Sequence, residues 1–584
     1  MIRVAISVVA AGVITAPAFA QPQDPLAPLP TSVAPPQSQS APSIVTAPPP
    51  QQPATTHTMR VPKDWRGVFD AIQAGDWASA QAGIYSLPAS TLTPIAQAEF
   101  YTARGSPVVS LQQIQTLLAQ APDLPEAGQL ARMAVARGAA TAPPITPVRA
   151  IVPIASAPRR YRPAPVTGEP LADQLRTQLD PFIKANDAAN AEALLNQQAP
   201  YLSTEARAEA AQRVAWAYYS LGQDQEARRV ADTWRSGATG EWAAAAAWVS
   251  GLASWRLNDC NSASTDFRTA AGATGQTELH AGALYWAARA EQACRRPQAV
   301  TPLLEAAAQS QESFYGLLAR ETLGVETRLA SAPAISTASV DALPNVQRAV
   351  QLAAIGETAL AGDMLRYQAR IGSPADQEAL IAVAKRLSLA GAQYWLATNG
   401  QPGARVYPSE KYPHPAWSPA GGWRVDPALA FAHIIQESNF QPNAVSPADA
   451  VGLMQVTPIT VRQHAASLNF DANAVDLSNP TVNLAFGQQN LEMLRSSSAT
   501  GGTLPKIMAA YNAGLAPVTR WASIPCDGDP LLWMESIPYW ETRYYVPAVM
   551  RNLWVYQGLA NEQAPSLKAL AQHRWPTAVL SAQR

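Results

Sequence analysis

Cysteine is scarce, with three in 584 residues, too few for a disulfide framework to define the fold. Charge is scarce as well. Charged side chains make up 15% of the chain, and 42 basic against 43 acidic residues leave a formal net charge of -1. That balance removes the electrostatic case for nucleic acid or an anionic membrane as partner. The six histidines are scattered and form no ligand-like pair, so neither metal nor cofactor is expected. Beyond the N-terminal residues no run is long and apolar enough to span a bilayer. Hydrophobic residues nevertheless reach 48%, which supplies large cores and excludes wholesale disorder. A chain of this length predicts two or three domains.

Arg3, the apolar stretch Val4–Val13 and the small-x-small run Ala18-Phe19-Ala20 predict an export signal over residues 1–20. Gln21 follows the expected cut, so no cysteine is there to be lipidated, and a soluble periplasmic chain is expected. Residues 21–57, rich in Pro, Gln, Ser, Ala and Thr, read as a disordered linker. Helical spacing returns over 58–140, as in Leu111-Ile114-Leu117-Leu118, and proline returns over 141–170, read as a second linker.

The next stretch, 171–400, is rich in alanine and tryptophan. Ala215, Gly251 and Ala287 stand 36 apart, as do Ala227, Ala263 and Ala299. Small residues on both helices of a pair let backbones approach, so a tetratricopeptide-like solenoid of helix hairpins is expected over an unrepeated bundle. Cys260 and Cys294 sit at similar places in neighbouring segments, and spacing alone leaves both a disulfide and two buried thiols open. Cys526 has no partner in sequence. Prolines and glycines between Gly400 and Pro419 then break regular structure, and a further domain is expected over 405–560. Residues 561–584 read equally as an extra helix or a frayed tail.

The chemistry is concentrated in that last domain. Asp426-Pro427 opens a helix, Ala428 to Ile435 is almost wholly apolar, and Glu437 follows at its end. Apolar surroundings and the negative end of a helix dipole both resist a second negative charge, which raises the carboxyl toward the working range of a general acid. Downstream stand Pro442-Asn443-Ala444-Val445-Ser446-Pro447, Gly452-Leu453-Met454-Gln455, Asn479-Pro480 and Ala510-Tyr511-Asn512-Ala513-Gly514. Glu535-Ser536-Ile537-Pro538-Tyr539, Glu541-Thr542-Arg543 and Tyr545-Val546 complete the series. In this order the segments resemble the soluble lytic murein transglycosylases. Tyr285-Trp286-Ala287-Ala288-Arg289 and Ser313-Phe314-Tyr315-Gly316 resemble the superhelical region that precedes the catalytic domain in that family.

The resemblance implies an all-α fold, an α-superhelical solenoid followed by a lysozyme-like catalytic domain. It implies cleavage of the β-1,4 bond between N-acetylmuramic acid and N-acetylglucosamine of peptidoglycan, leaving 1,6-anhydromuramyl ends. Its partners would be glycan strands and, through the helical repeats, cell-wall machinery proteins. Glu437 matches the single acid/base of the family. Ser446, Gln455, Tyr511, Asn512, Glu535 and Tyr545 match substrate contacts, and Met454 is open between packing on a sugar face and filling the core. Asp449 and Thr457 depart from the family pattern, Asp449 being expected on a solvent-facing loop. The alternatives are a goose-type lysozyme hydrolase on the same fold and a non-catalytic scaffold that grips peptidoglycan.

Overall fold

A computed structural model describes residues 60–578 of the chain; the expected export signal over 1–20 and linker over 21–57 lie outside the described residues. Among the described residues there are 26 α-helices and one pair of two-residue strands, so the all-α expectation holds. Contacts divide the chain into two units, one built from residues 157–330 with 416–578, the other from 60–156 with 331–415.

In the first unit the periodic small residues lie where helices meet. Thr204–Ser220 pairs with Asp224–Arg235, Gly240–Arg256 with Cys260–Ala273, and Thr277–Ala293 with Pro297–Ala308. The turn inside each pair carries one residue in the left-handed region: Gly222, Asn258 and Arg295, with φ of 76°, 58° and 58°. A side chain at Gly251 would come within 2.7 Å of the Phe267 ring, which is why that seam takes glycine. Trp248 and Trp286 meet Phe267 with ring centroids at 5.3 and 5.7 Å and close the next seam. Cys260 opens one helix and Cys294 caps the next repeat's first helix; they form a disulfide with Cα atoms 5.5 Å apart. Cys526 is free and half-buried.

The second unit assembles the helices Trp65–Gln73, Trp77–Ser86, Thr93–Thr102, Leu111–Gln120 and Ala127–Ala136 with Pro344–Ala354, Thr358–Ile371, Gln377–Arg386 and Ala390–Thr398. Val68, Phe69, Ile114 and Leu118 share one core with Val346, Leu352, Met364 and Leu380. The stretch expected as one repeat domain over 171–400 is therefore divided near Ala330. Its last helices bury their apolar faces against the early segment, a long-range packing that local periodicity does not encode.

The proline-rich stretch expected as a linker over 141–170 is held in place along its length. Val152–Pro153 pairs antiparallel with Asn399–Gly400. Further on, the Tyr161 amide donates to Gln276 Oε1 at 3.1 Å, Trp242 donates to the Ala164 carbonyl at 2.9 Å, and the Val166 amide donates to Glu209 at 2.8 Å. Proline forbids a helix here but leaves the carbonyls and intervening amides for neighbouring side chains. Near the C-terminus, Pro565–Ala571 is helical and Trp554 donates to Ser566 Oγ at 2.9 Å, which decides for the extra helix.

Candidate active site

Asp426 caps the helix Pro427–Ser438 by accepting from the Ala428 amide at 2.9 Å, with Pro427 at the first position. Ala428 to Ile435 are all buried. The helix stops where Asn439 and Phe440 both turn left-handed, at φ of 50° and 62°. Glu437 thus stands one residue from the end of an apolar rod, partly exposed, its carboxyl set among buried side chains.

Tyr545, on the helix Trp540–Leu559, donates its hydroxyl to Glu437 Oε1 at 2.5 Å. Burial pushes the Glu437 carboxyl up to about 7; the Tyr545 hydroxyl pulls it down and the Glu541 carboxylate raises it further. Tyr511 and Tyr545 are both held well above their ordinary value, first by burial and then by the nearby Glu437 charge. His433, one turn before Glu437, is fully buried and its ring lies 4.8 Å from Tyr511 and 6.2 Å from Tyr545. Its Nδ1 meets the Leu429 carbonyl at 2.8 Å, and burial lowers it to about 4, so it stays neutral.

The Gly452–Gln455 turn is locked from below. Asn483 accepts from the Met454 amide at 2.8 Å and donates to the Val451 and Leu477 carbonyls, both at 2.9 Å. Gly452 has φ of 82°, and a side chain there would overlap Asn483 and the Leu477 carbonyl. Tyr511 donates to the Met454 carbonyl at 2.7 Å, joining this turn to the helix Leu504–Ala513.

Several expected contacts are placed differently. Met454 is fully buried, filling the space over Gly487, so it is core rather than a sugar contact. Glu535 is 1% exposed: it pairs with Arg160 at 2.5 Å and accepts from Tyr315 at 2.7 Å. It fastens the domain to the extended segment and the repeats instead of facing glycan. Tyr545 directs its hydroxyl to Glu437 and is 4% exposed, so its polar group is engaged by the carboxyl instead of facing solvent.

Ser446, Gln455, Tyr511 and Asn512 remain partly exposed. Ser446 Oγ accepts from the Ala448 and Ala450 amides at 3.2 and 3.1 Å; Gln455 donates to the Ala444 and Gly452 carbonyls at 3.2 and 2.9 Å. Asn512 donates to Glu541 at 3.0 Å and accepts from Thr542 at 2.6 Å. Asp449 is exposed on its loop with φ of 57°, and Thr457 caps the helix Pro458–His464. Among the described residues no cluster of His, Cys, Asp or Glu is disposed to hold a metal. Sequence reasoning missed His433, Asn483 and the action of Glu541 on Glu437. Only the i to i+4 spacing of His433 to Glu437 and of Glu541 to Tyr545 could have hinted at them.

Residues 417–529 match the family model described as Transglycosylase SLT domain. This region is a transglycosylase SLT domain. The chain aligns with a putative soluble lytic murein transglycosylase of Haemophilus influenzae, 35% identical over 146 residues, covering 24% of each chain. The soluble lytic murein transglycosylase of Escherichia coli K12 is 30% identical over 132 residues, covering 22% of this chain and 20% of its own. The chain thus spans about a quarter of the length of these curated relatives. By fold the similarity runs further. The crystal structure of the 70 kDa soluble lytic transglycosylase Slt70 from Escherichia coli superposes with a TM-score of 0.56 at 16% identity, covering 88% of this chain and 98% of that one. An inactive mutant of Slt from Pseudomonas aeruginosa gives 0.52 at 17% identity, covering 88% and 87%. The fold is accordingly a superhelical helix array with a lysozyme-like SLT domain, as the motifs implied.

Proposed function

We propose that the SLT domain is a lytic transglycosylase that cleaves the β-1,4 bond between N-acetylmuramic acid and N-acetylglucosamine of peptidoglycan and forms 1,6-anhydromuramyl ends in the periplasm. The reading rests on one observation: a carboxyl raised to about 7 at the end of a buried helix, bonded to one tyrosine hydroxyl. A group poised there both gives and takes a proton near neutral pH, as a mechanism with one acid/base requires. Protonated Glu437 donates to the leaving glycosidic oxygen. The carboxylate so formed then accepts the proton of the sugar's own 6-hydroxyl as that oxygen closes on the anomeric carbon, and no water is consumed. Acid/base assistance contributes roughly 10²–10⁴ in rate. Glu541, tied to Asn512, acts by repelling negative charge on Glu437. Ser446, Gln455, Tyr511 and Asn512 are the side chains offered to the sugar.

The test is digestion of purified sacculi followed by mass analysis of the soluble fragments. Wild-type protein is expected to yield anhydro ends, and Glu437→Gln to release essentially none. Reducing ends from wild type would instead make the domain a hydrolase, and undiminished release by Glu437→Gln would remove Glu437 from the chemistry.

A further inference from the structure

The helix Trp540–Leu559 carries a proline in its interior, Pro547. Lacking an amide hydrogen, Pro547 cannot bond the Arg543 carbonyl one turn back, and its ring crowds that carbonyl. The first turns, which hold Glu541 and Tyr545, are therefore tied less firmly to the rest of the helix and depend on outside support.

That support comes from the extended segment of the first unit. The Arg160 guanidinium lies over the Trp248 and Tyr544 rings, 4.7 and 5.0 Å from their centroids, and pairs with Glu535 at 2.5 Å. Two residues earlier, the Pro158 carbonyl accepts from Arg551. Tyr544 and Arg551 are two helical turns apart and so stand on one face, on either side of Pro547. Tyr545 and Asn552 stand about 100° round from them and meet the helix of Glu437. Tyr545 donates to Glu437 Oε1 at 2.5 Å, and Asn552 donates to the Ala432 carbonyl at 3.2 Å. One face of the helix thus takes the extended segment, and the adjoining face takes the helix of Glu437.

We propose that Arg160 is a positioning residue: by gripping Tyr544 ahead of the proline break, it holds the turn in which Tyr545 meets Glu437. Its consequence for catalysis rests on the glycan-cleaving reading above, whereas the coupling itself can be read without turnover. The titratable groups around Glu437 are Tyr545, Glu541, Tyr511 and His433, and Arg160 reaches it through the helix.

The test is the titration of Glu437 by ¹³C spectroscopy in full-length protein labelled at its glutamate carboxyls, with Glu437→Gln assigning the signal. Arg160→Met should raise the midpoint by about 0.5–1 pH unit, approaching the loss of the Tyr545 hydroxyl itself. Tyr544→Leu removes no charge near neutral pH and leaves the pair of Arg160 with Glu535, and it should move the midpoint the same way by more than about 0.3 unit. In a Tyr545→Phe background neither substitution should move it further, whereas a direct effect of the Arg160 charge would persist there. A midpoint within about 0.3 unit of wild type in Tyr544→Leu, or an Arg160→Met shift that survives in Tyr545→Phe protein, would overturn the proposal. Should Arg160→Met fail to fold, Tyr544→Leu alone decides. An unmoved midpoint would leave formation of anhydro ends untouched; conversely, the expected shifts without anhydro ends from wild type would sink the enzymatic reading alone.

Discussion

Tyr545→Phe isolates the contact on which the proposed proton chemistry turns. The substitution keeps the ring against His433 and removes only the hydroxyl that donates to Glu437 at 2.5 Å. That bond favours the charged carboxylate, so its loss raises Glu437 above about 7. A hydrogen bond to a charged group is worth about 1.5 kcal/mol at the low end. At about 1.36 kcal/mol per pH unit, the displacement is about one unit. In the proposed mechanism Glu437 begins protonated, so the alkaline limb of kcat/KM on solubilised glycan reports its ionisation in the free protein. That limb should move up by about one pH unit in Tyr545→Phe. Glu541→Gln provides the opposite sign: removing a repelling charge stabilises the carboxylate and moves the limb down. A limb that stays within about 0.3 unit of wild type in both variants, or moves the same way in both, would refute the assignment of Glu437 as the titrating acid.

Glu437→Gln should also stabilise the protein above neutral pH. The folded chain holds this proton up to about 7 against an ordinary value of 4.5, so the stability it contributes is complete below 4.5 and lost as pH rises through 7. Thermal melts of variant and wild type should coincide at about pH 4 and separate at about pH 8 by at most about 3 kcal/mol, less for the partial exposure of the side chain. Glu535→Gln leaves Arg160 buried without its counter-charge and should cost about 3 kcal/mol by denaturant unfolding. It should leave KM for glycan within about twofold; a large rise in KM with unchanged stability would return Glu535 to the substrate. Gly452→Ala meets both a left-handed backbone and the Asn483 side chain, and a loss of roughly 2–4 kcal/mol in the same assay is expected.

How much of this was legible in the sequence depends on the range of the interaction. The Asp426 cap, Pro427 at the first turn and the apolar rod up to Ile435 are local, and they appear where the residues predict them. The 36-residue spacing is also local, because each repeat contacts its neighbour, and Gly251 against Phe267 shows why the small residue recurs. The disulfide needed one more fact, the approach of two helices, which brought the Cα atoms to 5.5 Å. The split of the 171–400 stretch was not legible, since Val346 and Leu380 bury against residues more than two hundred positions earlier.

The site shows the same limit in sharper form. A motif fixes which side chain stands at a position but not where it points. Direction is set by what packs behind the backbone: Met454 faces inward because Gly487 leaves a space for it, and Glu535 turns to Arg160 and Tyr315 because the repeats present a cation and a hydroxyl there. Glu437 receives its defining hydrogen bond from a residue 108 positions away. Apolar surroundings for Glu437 could be expected from its own helix, where Ala428 to Ile435 are all buried, but the tyrosine that opposes that burial could not. The raised carboxyl is thus a balance between a local cause and a remote one. Only the remote one can be removed without disturbing the helix, which is why Tyr545, rather than any residue on the helix itself, is the position at which the proton affinity of Glu437 can be tuned separately from the fold.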